Sequence, residues 1–213
     1  MRTRADQSAG SVDLYWIPLG AGGHFVRFNG KVYEAISAFV QRRPRREIFH
    51  TALEIALPGS RFTVEMTPIP RTLTEGRGVV AEGPVGLRSL GRFRIFRYEV
   101  RRWRDGVIPD LQYAVASPVR IAHDGVVAQR VLDLLPAVPS LVWGRDELRS
   151  GEMWSCNSII SWTLAQAGVD MSAVPFPPDA RAPGWDAGVR VAHRGAQRTS
   201  SGTSSMLAPK CAQ

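Results

Sequence analysis

The chain is expected to fold as an α+β domain with a β-hairpin and a helix that carries a cysteine. Three observations in the sequence support this. Residues 47–57, "EIFHTALEIAL", and 61–69, "RFTVEMTPI", are β-branched and apolar on either side of "PGS", a hairpin pattern. Residues 125–135 place Ala128, Val131, Leu132 and Leu135 on one helical face. Residues 153–170, "MWSCNSIISWTLAQAGVD", read as a second helix with Ser155, Asn157 or Ser158 as cap, Ile159, Ile160, Thr163, Leu164 and Ala167 on its inner face, and Gly168 at its end.

The other elements follow in chain order. Residues 1–10 read as a disordered lead. A strand is expected in 11–20, ended by Gly and Pro. "GAGGHFVRFNGK" gives a glycine-rich turn, a short strand and an "NG" turn. Val32, Ile36, Phe39 and Val40 define a helical face that Pro44 closes. Residues 70–91, rich in Gly, Pro and Arg, read as a long loop. Residues 92–103 alternate basic and apolar side chains, as a strand with one wet face does. "RDGVIPD" is a turn and a short strand lies near "QYAVAS". A single domain over 11–195 with an insertion at about 70–150 is expected, with a disordered tail over 196–213.

With 213 residues, 44% of them hydrophobic, the chain can bury a core of its own. No apolar run approaches the roughly 20 residues of a membrane span, and the N-terminus lacks the apolar stretch of a secretory signal. Two cysteines make no disulfide framework, so a reducing, cytoplasmic setting is expected. No His/Cys spacing suggests zinc, and no cofactor motif is present: "GAGG" precedes a strand pattern rather than a helix. Net charge is +8, but only Lys31 and Lys210 are lysines. Arginine-heavy, lysine-poor composition is what a GC-rich genome produces, and Pro44 breaks the densest cluster, "RRPRR" at 42–46. Nucleic-acid binding is therefore kept as a third hypothesis, which would need one continuous arginine face.

The chemistry centres on Cys156. A thiol in the first turn of a helix gains from unpaired N–H groups and the macrodipole, which favour the thiolate. The plain alternative is a small buried side chain. Among His24, His50, His123 and His193, His50 is the best base. Its strand turns Phe49, Thr51, Leu53 and Ile55 to one side, while His50 shares the other with Ala52 and Glu54, where a small residue leaves room for another element, a helix for example. With positions summing to about 118 paired across the hairpin, Glu65 comes within reach of His50, and Glu54 is the alternative orienting carboxylate. Ser155 offers a weaker hydroxyl nucleophile. Arg181 and Trp185 in "RAPGWDAG" read either as the wall of a substrate groove or as a loop pinned by its tryptophan. "WGRDEL" places Arg145 and Asp146 near the cysteine helix.

A histidine in "HTALEI", a carboxylate in "VEMTP" and, far downstream, a cysteine opening a helix in "WSCNSIISWTLAQAG" resemble the circularly permuted NlpC-like branch of the papain-like superfamily, which includes the lecithin:retinol acyltransferase-like proteins. The resemblance covers 47–69 and 150–168. It implies a permuted papain-like fold, a small antiparallel sheet packed on the Cys-bearing helix, with Cys156 as nucleophile, His50 as base and Glu65 as orienting residue, and acyl transfer to or from an amide, ester or thioester of a small molecule, peptide or lipid. The competing expectation is a binding or structural protein on the same scaffold, with function in the arginine-rich strand or the Trp185 loop.

Overall fold

A computed structural model describes residues 10–19, 42, 46–69, 76, 78–108 and 110–204. The expected helix over Val32–Val40, the "GAGG" turn, His24 and Cys211 lie outside these residues.

The expected hairpin forms as β2 (Glu47–Leu57) and β3 (Ser60–Pro68). Gly59 takes a positive φ of 72° in its turn, where a side chain would be strained. Leu53 pairs with Val64, so paired positions sum to 117, one off the expected register. β1 (Ser11–Pro18) lies along the other edge of β2, with Trp16 opposite Thr51 and Ile17 opposite His50. The stretch expected to be an insertion completes the sheet. β5 (Arg97–Arg104) pairs with β3 and with β4 (Val79–Pro84), and β6 (Val115–Ala122) pairs with β1, giving the order β4-β5-β3-β2-β1-β6, antiparallel throughout. β7 (Ala180–Arg181) adds a short parallel pairing to Glu47 and Ile48.

Two expectations in this stretch change. Part of the long loop is β4. The strand expected from residue 92 begins only at Arg97, after short 3₁₀ turns at Arg88–Arg92 and Arg94–Phe96 that bury no residue. A run of basic residues alternating with apolar ones gives the strand period, but nothing packs on its first half.

Three helices lie on one face of the sheet: α1 (Gly125–Leu134), α2 (Cys156–Ala167) and α3 (Trp185–Ser204). Their apolar residues form one core with Val12, Leu14, Trp16, Phe49, Leu53, Ile55, Val64 and Val100. α3 runs beyond the domain end expected at residue 195. Its contact face includes Gly188, where a Cβ would lie 2.1 Å from Ser161 Oγ and 2.2 Å from the Ser158 carbonyl, so α3 seats directly on the backbone of α2. The opposite face of the sheet is crossed by a strap, residues 105–108 and 110–114. Ile108 packs there with Ile17 and Ala52, against Tyr15, Leu111 and Ala114. Thr63 Oγ1 donates to the Gly106 carbonyl at 2.8 Å, tying the strap to β3. Among the described residues no helix is long and apolar enough to cross a membrane.

Candidate functional site

The start of α2 is built by side chains replacing backbone partners. Four N–H groups at a helix start lack intrahelical acceptors. Ser155 is the cap: its Oγ accepts from Asn157 N at 3.2 Å, while Ser158 Oγ accepts from Ser155 N at 2.9 Å, a reciprocal capping box. Three hydroxyls spaced by three then donate in order to three consecutive carbonyls. Ser155 reaches Pro183, Ser158 reaches Gly184 and Ser161 reaches Trp185, each at 2.7 Å. The serine spacing was visible in the sequence, but its acceptors lie more than twenty residues away.

Asn157 ties the same helix start to the sheet. Its Nδ2 donates to the carbonyls of Phe49 and Pro183, both at 3.0 Å, and its Oδ1 accepts from Thr51 Oγ1 at 3.0 Å. Strand geometry explains why this is possible. β3 pairs with β2 along Leu53–Leu57 and β7 along Glu47–Ile48, which leaves the edge at Phe49–Thr51 without a strand partner. Ile48 faces the β1 side, since its carbonyl accepts from Leu19 N, so Phe49 and Thr51 present their backbone groups to that free edge. The first turn of α2 fills it.

Cys156 sits in this junction, 8% exposed. Its thiol donates weakly towards Asn157 Oδ1 at 3.8 Å. Burial pushes the thiol up to about 11, while the N–H groups of Asn157, Thr51 and Cys156 itself and the Ser155 hydroxyl act in the opposite sense. Burial outweighs these groups, and the sulfur rests as a thiol at neutral pH.

His50 projects from the other face of β2. Thr51 and its odd-numbered neighbours point to the helices, whereas His50 stands beside Ile17 and Ala52 under the strap. The alternation expected from the sequence is present, but α2 packs on the apolar odd side, and the strap takes the space beside Ala52. No hydrogen bond or ion pair joins His50 to Cys156 among the described residues. Burial pushes the imidazole down to about 4, with the Asp110 carboxylate opposing. His50 is therefore neutral at pH 7.

Glu65 shares the face of His50 but serves another partner. Arg101 Nη1 donates to it at 3.0 Å and Arg101 Nε to Glu99 at 2.5 Å. Burial raises the Glu65 carboxyl, Arg101 opposing. No hydrogen bond joins Glu65 to His50, and Glu54 pairs with Arg61 at 3.6 Å. The acidic group that acts electrostatically on both His50 and Glu65 is Asp110, which sequence reasoning missed because it lies in a segment read only as a turn.

The remaining candidates have structural partners. Ser155 Oγ is committed to Pro183 and Asn157. Trp185 is buried against Trp16 and Phe176, with ring centroids at 5.1 and 5.4 Å, which favours the pinned loop over a groove wall. Arg145 donates to the Gly86 carbonyl, and Asp146 accepts from Ser150 and Gly151. His123 lies 3.0 Å from Arg120, and His193 is exposed on α3. The arginines of β5 part company: Arg97 binds Glu82, Arg101 binds Glu65 and Glu99, and Arg102 reaches the Leu132 carbonyl on the helix side, so this strand presents no continuous arginine face. No group of three or more His, Cys, Asp or Glu among the described residues is placed to hold a metal ion. Comparison with family models, with curated proteins and with solved structures returned no match.

Proposed function

We propose that the chain is a thiol-dependent hydrolase or acyltransferase of permuted papain-like type, acting on an amide, ester or thioester. The observation that carries this reading is the seating of Cys156, in the first turn of α2, at the edge of β2, where its neighbour Asn157 binds Phe49 and Thr51, the residues on either side of His50. Cys156 and His50 lie on opposite faces of the same strand, His50 on the strap side beside Ile17. Both are neutral at rest, so proton transfer accompanies attack rather than preceding it. The step requires a local rearrangement at the strand edge that brings the imidazole within hydrogen-bond reach of the thiol, which then gives up its proton to it as the Sγ–C bond forms. The Cys156 N–H serves the developing oxyanion, since Ser155 already caps the N–H groups that follow it. The imidazolium returns the proton to the leaving amine, alcohol or thiol, and water or another acceptor then releases the acyl group.

A second reading is a non-catalytic binding or structural protein on the same scaffold. It is favoured by a specific observation: each serine and amide at the start of α2 is spent on holding Pro183–Trp185 and β2, and the thiol among them is pushed up to about 11.

Acyl trapping separates the two. In a Cys211→Ser background the protein is incubated with p-nitrophenyl esters and adducts are located by peptide mass spectrometry. The catalytic reading expects an acyl group on Cys156, absent in Cys156→Ala and formed about a hundredfold more slowly in His50→Ala. No adduct on native protein, with Cys156 readily alkylated once unfolded, gives the second reading.

A further inference from the structure

We infer that Asp110, rather than Glu65, is the positioning residue of His50. The inference rests on the catalytic reading for its importance, but the pairing itself can be measured without any activity.

The strap brings Asp110 to the histidine. Ile108, two residues before it, packs on Ile17 and Ala52, and Ile17 is the direct cross-strand neighbour of His50. Leu111 closes a turn by donating its N–H to the Ile108 carbonyl at 3.3 Å and packs against the same cluster. Asp110 is thus held between two residues seated on the His50 side of the sheet. It stands at the cap position of the turn Leu111–Tyr113, yet its side chain makes no capping hydrogen bond, although capping is the ordinary use of an aspartate there. Among the described residues, its charge is the one that opposes the lowering of the His50 ring by burial. The competing acids on this face are engaged: Glu65 and Glu99 with Arg101, Glu54 with Arg61, and Asp13 with Arg120. Tyr15 is the remaining titratable group on β1 beside the cluster. No hydrogen bond joins Asp110 to His50 at rest; a carboxylate that closes onto one ring nitrogen fixes the tautomer and leaves the other nitrogen as a base.

The test is the tautomer and titration of His50 in ¹⁵N-labelled protein by long-range ¹H–¹⁵N correlation, with His50→Ala assigning the signal. In wild type one tautomer is expected to dominate at pH 7. Asp110→Asn should mix the tautomers and shift the His50 titration to lower pH, because a raising charge is lost. Asp110→Glu should restore the single tautomer, and Glu65→Gln should leave it in place. If Asp110→Asn does not fold, the wild-type Asp110 carboxyl ¹³C shift must still report the His50 titration. Mixed tautomers caused by Glu65→Gln but not by Asp110→Asn, or an Asp110 carboxyl blind to His50, would overturn the assignment. If His50 follows Asp110 while Cys156 shows no dependence on His50, the catalytic reading fails and the pairing stands.

Discussion

The two faces of β2 solve burial in different ways. Where α2 begins, on the helix face, the polar groups are uncharged and matched: Thr51, Asn157 and three serines each meet a defined backbone or side-chain partner in an apolar core. On the strap face, carboxylates, a guanidinium and an imidazole crowd together beside a small apolar cluster. The first arrangement fixes geometry, since an unmatched buried amide or carbonyl is costly. The second leaves groups whose protonation depends on their neighbours. Cys156 belongs to the first and His50 to the second, and the proposed chemistry requires that they meet at the strand edge between them.

The largest effect is expected where matching is tightest. Asn157→Ala leaves the Phe49 and Pro183 carbonyls and the Thr51 hydroxyl without their partner, a loss of about 4 kcal/mol, read by urea unfolding. A loss below about 1 kcal/mol would mean that α2 is not docked through Asn157. Gly188→Ala comes next, at about 3 kcal/mol, because its Cβ would strike the Ser158 carbonyl and push α3 off α2. Retained stability with an unchanged Tm would contradict that close approach.

The strap face should announce itself through pH. A histidine held down to about 4 against an unfolded value near 6.5 makes the unfolded chain bind more protons between those limits. Its contribution is neutral above about pH 6.5 and becomes destabilising as pH falls towards 4, reaching up to about 3 kcal/mol. Urea midpoints for wild type and His50→Gln should converge near pH 4 and diverge towards pH 7, the variant showing the shallower slope. Parallel curves would place His50 in water. The smallest effect is expected of Thr51→Val, which keeps shape and removes one hydrogen bond, about 1 kcal/mol. A cost as large as that of Asn157→Ala would mean that the threonine, not the amide, carries the junction.

Much of this architecture was legible because it rests on local periodicity. The hairpin, α1 and the caps of α2 at Ser155 and Gly168 follow from alternation, helical spacing and cap chemistry, and the register was off by one residue. The alternation also put His50 opposite Phe49, Thr51 and Leu53. What it did not tell was which element covers which side. The apolar side attracts a helix, so α2 took it, and Ala52 accommodates Ile108 of the strap instead. α3 escaped for a related reason: Ala187, Gly188 and Ala192 are its buried residues beside Trp185 and Val191, and small side chains give little hydrophobic signal although they allow the closest packing. Glu65 was expected to orient His50 on reach alone. Arg101, thirty-six residues later in sequence, claims it through a strand pairing that no local pattern announces.

The central claim is that Cys156 and His50 are coupled across the edge of β2. The most direct measurement is the rate of Cys156 alkylation by iodoacetamide from pH 5 to 11, in a Cys211→Ser background, with and without His50→Ala. The account predicts curves that separate at neutral pH, wild type reacting faster and the variant only as the thiol itself ionises towards about 11. Superimposed curves, both rising only in strong alkali, would contradict it and leave Cys156 as a packed thiol in a structural junction.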